Sequence, residues 1–267
     1  MYIECIRCSV SGKMSEFVSL VFPSLKRHNC RYIMKTQEIT VASDIRTFFK
    51  QWPKFYYFIM VVFGPILFTG LSAKGFLKKY QVKGKILNLG SGPRIISKEV
   101  VNVDIHPYVG VDMVADICAV PLPSGSVQGL ISENMLEHVE SPERAVSEMY
   151  RLLAPRGVAY IEVPFLYPFH ASPSDFHRWS KEGLRKLFGQ FEIIEIGVRG
   201  GPFSALNAFL CHFVGSLFSF GSDRLYSLFT NLVMFIFFPI KYLDIIFAYI
   251  PNAVYVAADL YCVIRKK

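Results

Sequence analysis

The sequence lacks the cysteine spacing of a disulfide-rich or zinc-binding protein. Its six cysteines are scattered along 267 residues, which is typical of reduced thiols in a cytosolic domain. One C-x-x-C pair, Cys5 and Cys8, could form a zinc site with His28 and Cys30. A structural zinc motif normally shows two well-spaced pairs of ligands, so we interpret this region as an irregular amino-terminal extension.

The sequence also lacks a signal peptide and a long basic run. Residues 1–33 show no order of basic start, apolar stretch and small-residue cleavage site, and the stretch from Met34 looks more like a protein start. We therefore expect residues 1–33 to be a misannotated or disordered leader. The 29 Lys and Arg outnumber the 21 Asp and Glu, but they form no stripe, so nucleic acid is not the expected partner.

Apolar residues are abundant, at 52% of the chain with 24 Phe and a mean hydropathy of +0.34. Combined with a net charge of +8, this composition favours contact with an anionic membrane surface. Residues 55–73 are 19 uncharged residues followed by lysines, which is long enough to cross a bilayer. Gly64 and Pro65 at the centre weaken the case for a straight span. A kinked or interfacial helix is therefore expected as much as a straight transmembrane helix. We predict an extension at 1–54, partly disordered, and a hydrophobic helix with a basic linker at 55–82.

From Lys85 onward, short apolar runs alternate with helical patterns, which predicts an α/β domain over residues 83–267 with a largely parallel sheet. Helices are predicted to begin at the N-caps Ser141 and Ser180. The seven predicted strands are KILNLGS, VVNVDIH, VDMVADI, VQGLISE, GVAYIEVPF, FEIIEIGV and AVYVAADLYCVI. An apolar helical insertion, residues 203–250, separates the last two strands.

The first strand runs into a glycine turn, Gly90-Ser91-Gly92, that lets the backbone approach a ligand closely. Asp104 ends the next strand, where a carboxylate can bind both hydroxyls of a ribose. Asp116 ends the third strand and is placed to meet the amine of an adenine. These features in this order predict a nucleoside-containing cofactor.

The ordered motifs resemble the class I S-adenosylmethionine-dependent methyltransferases, specifically the type 11 group. The resemblance covers roughly residues 85–200 and rests on the segments Leu87–Gly92, Asp104, Ala115-Asp116, Asn134–Val139 and Glu148–Gly157. A further set resembles a membrane-linked bacterial subgroup that modifies surface polysaccharides or lipids: Pro164-Phe165, His170, Pro173, Asp175-Phe176, Arg178-Trp179 and Glu182–Leu184. The resemblance implies a Rossmann-like fold and S-adenosylmethionine as the cofactor.

The resemblance also implies roles for individual cofactor-binding residues. Gly90 and Gly92 would lie beside the methionine portion, and Asp104 would bind the ribose. Asp116 and the Ile117 backbone would bind the adenine, and Asn134 would lie near the transferred methyl group. Asn88 would stand in the cofactor site at a position where many members have an acidic residue.

The sequence departs from the family in the first half of the domain. Arg94 replaces a third glycine, and Gln128 replaces an aspartate before the fourth strand. Only a short helix fits between Gly92 and Val101, and almost no crossover fits between residues 106 and 110.

Methyl transfer to a hydroxyl group needs a base on the loops after the strands. The candidates are His138 after the fourth strand, and His170 and His177 after the fifth. Arg178 could bind an anionic acceptor or order the loop, and the sequence leaves both open. Glu137 and His138 with His170 or His177 offer oxygen and nitrogen ligands for a metal. We nevertheless expect no metal, since the E-x-x-E-H pattern of metal-dependent relatives needs a glutamate where this chain has Asn134.

These observations predict a methyltransferase that acts on a membrane-associated glycan, lipid or small molecule. The alternative is a membrane-bound nucleoside-binding or scaffold protein with a decayed site. A nicotinamide dehydrogenase is weakened by the missing third glycine and Tyr-x-x-x-Lys pair.

The apolar insertion predicts how the chain meets the membrane. Residues 203–222 and 225–240 are uncharged runs of 20 and 16 residues, consistent with either an inserted hairpin or two interfacial helices. Lys241 and Asp244 near the end of the second run favour the shallow arrangement. We expect a membrane-associated protein with its catalytic domain in the cytoplasm.

Overall fold

Seven strands form one sheet in the computed structural model, which describes residues 59, 61–170 and 174–267. Their order across the sheet is β3-β2-β1-β4-β5-β7-β6, and only β7 runs antiparallel to its neighbours. The predicted Rossmann-like α/β fold is thereby confirmed. The strands are β1 (Ile86–Leu89), β2 (Val100–Asp104), β3 (Met113–Val114), β4 (Val127–Glu133), β5 (Leu153–Pro164), β6 (Phe191–Gly200) and β7 (Asp259–Lys266).

Helices with described bounds, numbered in chain order, flank the sheet and fill the insertion. The predicted helix starts at Ser141 and Ser180 are confirmed, and the Ser180 hydroxyl accepts a hydrogen bond from the Gly183 N–H at 3.2 Å. The α-helices are α1 (Ala73–Lys79), α2 (Pro142–Leu152), α3 (Lys181–Leu187), α4 (Pro202–Leu217), α5 (Asp223–Phe237) and α6 (Asp244–Phe247). Within the part of the chain that the structure describes, 3-10 helices cover Leu136–His138, Phe238–Leu243 and Pro251–Tyr255.

Both faces of the sheet are covered, which explains why its central strands are apolar without alternation. On one face, α2 and α3 contribute Met149, Leu152 and Leu184 to the larger core. On the other face, α1 packs Phe76 against Tyr160 of β5, with ring centroids 5.7 Å apart. The sheet is therefore held rigid from both sides, and its edge positions the side chains that follow each strand.

The structure differs from the sequence expectation at two connections and agrees with it at a third. Residues 93–99 form turns, not a short helix, before β2 begins. The seventh strand begins at Asp259 and not at Ala253, because Pro251 starts a 3-10 helix that occupies the first part of the predicted run. The expected near-absence of a crossover between β2 and β3 is confirmed, since residues 105–112 contain no helix.

The hydrophobic segment 55–73 is not one continuous helix in its described part. Residues 61–63 are helical, whereas residues 64–72 are not. Residues 68–70 lie beside β6, where the Thr69 N–H donates to the Arg199 carbonyl at 3.0 Å. Gly64 and Pro65 mark the point where the helix ends. The predicted extension, the candidate zinc ligands and the early part of this segment lie outside the described residues.

The predicted insertion between β6 and β7 is present and helical. Helices α4 and α5 pack closely, and a Cβ atom at Gly215 would lie only 2.1 Å from the Thr230 hydroxyl. Asp223–Phe247 is a helical stretch of 25 residues that is long and apolar enough to cross a membrane by length and composition. The insertion begins after Gly200 and ends at Asp259, and these two residues pair across β6 and β7. The chain therefore returns to the edge of the sheet that it left.

Candidate active site

A cavity of about 750 Å³ lies at the carboxyl edge of the parallel strands. This volume is in the range of about 300–1,000 Å³ that small-molecule sites occupy, and the carboxyl edge is where ligands bind in open α/β sheets. Seven predicted site residues line the cavity: Gly90, Gly92, Asp104, Asp116, Ile117, Asn134 and His138.

The glycine turn shapes one wall of this cavity. Gly90 and Gly92 have φ values of +67° and +52°, in the left-handed region that favours glycine. A Cβ atom at Gly90 would lie 2.2 Å from the Met135 side chain, whereas one at Gly92 would meet nothing within 4 Å. Both the backbone conformation and the packing against Met135 therefore require glycine at position 90. Gly92 leaves free space at its side of the cavity.

Asp104 is held in place by the backbone around it. One carboxylate oxygen accepts from the Gly92 N–H at 2.8 Å, and the other accepts from the His106 N–H at 2.9 Å. Each oxygen has a second lone pair, so the carboxylate can still accept two hydroxyl hydrogens. Asp116 similarly accepts from the Cys118 N–H at 2.8 Å and is exposed at the cavity.

Asn88 is not among the residues that line the cavity. It pairs with Asn102 across β1 and β2, and its amide donates to the Asn102 side chain at 3.1 Å. Asn102 in turn donates to the Gly110 carbonyl at 3.0 Å. Asn88 is 2% exposed, and the structure gives it the role of joining two strands under the glycine turn.

Asn134 stands at the end of β4 with φ +47°, a conformation that asparagine tolerates better than most residues. Its N–H donates to the Glu162 carbonyl at 2.9 Å, and its side-chain amide contacts the Glu162 carboxylate at 3.4 Å. Its side-chain oxygen accepts no hydrogen bond from the described residues. The residue is held by two contacts to β5 while its side chain lines the cavity.

A buried polar cluster lies beneath Asn134, and sequence patterns did not indicate it. The Glu162 carboxylate accepts from Arg199 at 2.9 Å and from the Tyr160 hydroxyl at 3.0 Å. Burial, and then the charge of Glu162, raise the pKa of neighbouring Glu133 to about 7, despite Arg94 at 3.0 Å. Such clusters join residues that are far apart in the sequence, so no local sequence motif predicts them.

Three side chains converge beside the cavity: Glu137, His138 and His170. The Nε2 atoms of His138 and His170 lie 3.7 Å and 3.6 Å from the same Glu137 carboxylate oxygen, and the two rings are 5.3 Å apart. Glu137 has no exposed side-chain surface. Neither of its carboxylate oxygens has a hydrogen-bond partner among the described residues.

Backbone carbonyls orient both imidazole rings. The Nδ1 atom of His138 lies 2.5 Å from the Ser174 carbonyl, and that of His170 lies 3.2 Å from the Pro168 carbonyl. Carbonyl oxygens only accept, so the contact to Ser174 favours a proton on Nδ1 of His138, with Nε2 facing Glu137. The Pro168 carbonyl favours the same tautomer for His170, whose Nδ1 also lies 3.3 Å from the Arg178 guanidinium. Burial acts to lower the pKa of His170, but Glu137 and the Pro168 carbonyl outweigh it, so the pKa is raised.

Arg178 orders the loop that carries His170. Its guanidinium forms a two-pronged ion pair with Asp175 and also donates to the Tyr167 and Pro168 carbonyls at 3.1 Å and 3.0 Å. The hydrogen bond from Arg178 lowers the pKa of Asp175 to about 2. The geometry therefore favours the loop-ordering interpretation of Arg178 over anion binding.

His177 is not brought to this cluster. Its ring lies beside Trp179, with centroids 5.3 Å apart, and its Nε2 atom is 3.4 Å from the Glu140 carbonyl. It does not line the cavity. Glu137, which the sequence offered beside His138 after β4, is the residue at which His138 and His170 meet.

Comparison with known proteins agrees with this geometry. Residues 87–161 match the family model described as a methyltransferase domain. This chain carries a class I methyltransferase domain. No curated protein sequence matches the chain significantly.

Solved structures resemble the methyltransferase domain in fold. A proposed sarcosine dimethylglycine methyltransferase from Galdieria sulphuraria is 13% identical, with a TM-score of 0.50 over 79% of this chain and 97% of that one. A proposed methyltransferase bound to the Trm112 activator, from Haloferax volcanii, is 18% identical, with a TM-score of 0.46 over 83% and 96%. At such low identity these likenesses concern the fold alone.

The cofactor of the methyltransferase domain is S-adenosylmethionine. The cavity fits such a molecule, since it combines two carboxylates for hydroxyl and amine groups with an open glycine wall and the apolar Ile117.

Proposed function

We propose that this methyltransferase transfers a methyl group from S-adenosylmethionine to a hydroxyl group of an amphipathic, lipid-linked acceptor at a membrane surface. The observation that carries the proposal is the shared edge of the sheet. Pro164 of β5, Asp259 of β7 and Gly200 of β6 are paired in register at the carboxyl edge, where the cavity also opens. The apolar insertion therefore leaves the sheet on the side where the acceptor must arrive.

The chemistry requires an acceptor oxygen in line with the donated methyl group and a base for its proton. S-adenosylmethionine, when bound, supplies a methyl group on a positively charged sulfur. Asp104 and Asp116 hold the cofactor, and His138 lines the same cavity. His138 and His170 are placed to take the proton from the acceptor hydroxyl, and buried Glu137 stabilises the charge that results.

A second cavity, of about 650 Å³, supports an acceptor with an apolar portion. It lies between the loop after β5 and helix α4, and its walls include Leu166, Leu206, Phe209 and Phe213. Tyr167 also lines it and contacts the His170 ring at a centroid distance of 5.0 Å. An acyl or prenyl chain in this cavity places a polar group near the histidines.

The outer surface of the insertion supports contact with lipid. Phe209 on α4 and Leu228 on α5 are about 60% exposed, like other large apolar residues of both helices. The two charged residues that suggested a shallow position, Lys241 and Asp244, are fully buried. The Lys241 ammonium donates to backbone carbonyls, including that of Gly64 at 2.7 Å, and the Asp244 carboxylate caps the start of α4. Neither charge needs water, so both a shallow and a deeper position are compatible with them.

We infer a membrane-associated protein with its methyltransferase domain in the cytoplasm. In cell fractionation, the wild-type protein should sediment with membranes and require detergent, not salt, for release. Phe209→Lys combined with Phe213→Lys should shift it toward the soluble fraction. Val114→Lys is the matched control, because Val114 is 57% exposed on the edge strand β3. Salt extraction of the wild-type protein, or equal behaviour of both variants, would contradict membrane binding through the insertion.

The acceptor class is tested with radiolabelled S-adenosylmethionine and a membrane lipid extract. Label should partition into the organic phase, and delipidated extract should accept none. Label confined to water-soluble products would overturn the lipid-linked acceptor. Binding of S-adenosylhomocysteine without turnover on any extract would favour the alternative of a decayed site. The substitution at Asn88 gives that alternative no support, because Asn88 does not line the cavity.

A further inference from the structure

We propose that Glu137, His138 and His170 bind one divalent transition-metal ion beside the methyl-transfer cavity. One carboxylate oxygen and two imidazole nitrogens of these residues lie within 4.8 Å of one another. The sequence expectation of no metal rested on Asn134, although His170 or His177 was considered as a third ligand. The structure brings His170, and not His177, to Glu137 and His138. The site deepens the proposed function and rests on it for its catalytic use.

The distances fit ligands of one ion better than hydrogen bonds. The Nε2 atoms stand 3.6 Å and 3.7 Å from the Glu137 oxygen, longer than an ordinary hydrogen bond. Metal bonds of about 2.0–2.2 Å place neighbouring ligands roughly 3–3.5 Å apart. The two distances from nitrogen to the Glu137 oxygen are therefore close to the spacing of ligands on one ion.

The environment of the Glu137 carboxyl group favours a bound cation. It is fully buried, and both oxygens have no hydrogen-bond partner among the described residues. A buried carboxylate without partners is costly unless a positive charge compensates it. The neighbouring guanidinium of Arg178 is held by Asp175 and three backbone carbonyls. A bound ion compensates Glu137 directly.

Both histidines are oriented as metal ligands are. In metal sites the second ring nitrogen usually donates to a carbonyl or carboxylate, which fixes the tautomer and directs the lone pair at the ion. The Nδ1 atoms of His138 and His170 contact the Ser174 and Pro168 carbonyls in this way. The Nε2 lone pairs are thereby directed at the Glu137 oxygen.

The two loops that supply the ligands are tied together. Glu137 and His138 lie in the 3-10 helix after β4, and His170 lies in the loop after β5. The Phe176 N–H donates to the Glu137 carbonyl at 2.8 Å, and the Asp175 carboxylate accepts from the His170 N–H at 2.8 Å. These bonds organise the ligands before an ion arrives.

The donor set indicates the class of ion. Two imidazole nitrogens with one carboxylate suit zinc, manganese, iron or cobalt, whereas magnesium and calcium prefer oxygen ligands alone. Three protein ligands leave coordination positions for an acceptor oxygen, as in catalytic zinc sites. With an ion bound, the two imidazoles serve as its ligands, and solvent replaces them as the base. Since His138 lines the cavity, an acceptor hydroxyl on the ion would lose its proton to solvent more easily. The acceptor oxygen would then bond to the methyl carbon as the carbon–sulfur bond of the cofactor breaks and S-adenosylhomocysteine leaves.

The test uses the full chain in detergent, stripped with a chelator and titrated with Zn²⁺ and Co²⁺. We expect one ion per chain by calorimetry, and visible Co²⁺ absorption typical of nitrogen and oxygen ligands. Glu137→Gln and His170→Ala should each weaken binding at least tenfold. His177→Ala is the matched control and should bind normally, since His177 lies outside the cluster. Circular dichroism checks that each variant is folded.

S-adenosylmethionine binding, measured in the same samples, separates the two proposals. A wild-type protein that binds the cofactor but no ion, or variants that bind the ion as wild type does, would overturn the metal site alone. A wild-type protein that binds the ion but no cofactor would overturn the proposed function and leave the metal site standing.

Discussion

The two halves of the sheet are built differently. On the side of β1, β2 and β3, the connections are short turns, and β3 has only two residues. Its site residues are held by bonds to nearby backbone, as Asp104 is by Gly92 and His106. On the side of β5, β6 and β7, long-range contacts and the apolar insertion dominate. The first half lines the cavity with residues held by local structure, and the proposed function assigns the acceptor to the second half.

The largest expected effect is on the acceptor side. His170→Ala should lower turnover by about 10²-fold or more, on the scale of a lost group in proton transfer. Its affinity for S-adenosylmethionine should change little, because His170 does not line the cofactor cavity. Turnover and calorimetry on the same preparation check this. Equal losses of turnover and of cofactor affinity would contradict separate roles for the two halves of the sheet.

On the cofactor side, Asp104→Asn should weaken S-adenosylmethionine binding about tenfold, the scale of one charged hydrogen bond. The amide keeps one acceptor, whereas the carboxylate accepts from backbone on both oxygens. Asp112→Asn is the control, because Asp112 bonds to Asn102 and does not line the cavity. Unchanged affinity in calorimetry for Asp104→Asn would refute the ribose assignment.

A pair of glycine substitutions separates packing from ligand contact within the same turn. Gly90→Ala should reduce stability by about 1–3 kcal/mol, since it combines positive φ with a clash on Met135. Gly92→Ala should cost about 1 kcal/mol, because its Cβ meets open space. Urea unfolding measures both. A larger loss for Gly92→Ala would contradict the different roles assigned to the two glycines.

The last expected effect depends on pH and vanishes in acid. The pKa of Glu133 is about 7 in the folded protein, against an ordinary value of 4.5. Between these values the folded protein keeps a proton that the unfolded chain releases, so stability falls as pH rises through this window. Glu133→Gln should flatten this decline and raise stability at pH 8 by about 1–3 kcal/mol. Thermal unfolding at pH 5 and 8 checks it, and parallel profiles for both proteins would exclude Glu133 as the cause.

Local patterns predicted the cofactor half well and the acceptor half only in outline. Gly92, Asp104 and Asp116 each end or follow a strand, so their convergence follows from parallel pairing. The start of β7 was misplaced at Ala253, because an apolar run has the same pattern in a strand and in a 3-10 helix. The pairing of Asn88 with Asn102 could not be predicted without the strand register.

The histidine cluster could likewise be predicted only in part from the sequence. His138 and His170 were both candidates, but their meeting at Glu137 depends on how two loops fold over the sheet edge. His177 had equal standing in the sequence, only seven residues beyond His170. Its neighbour Arg178 turns the loop by bonding to Asp175, and that side-chain contact leaves His177 outside the cluster.

The position of β7 has a consequence for the order of folding. It follows every other strand in the chain, yet it lies between β5 and β6 and pairs with both. On the ribosome, β6 cannot join the sheet until β7 has been synthesised, whereas the apolar insertion emerges earlier. Exposed apolar helices in an unfinished domain are prone to aggregation unless something shields them. Early contact with lipid would shield them, so membrane capture would come before closure of the sheet and maturation of the acceptor side.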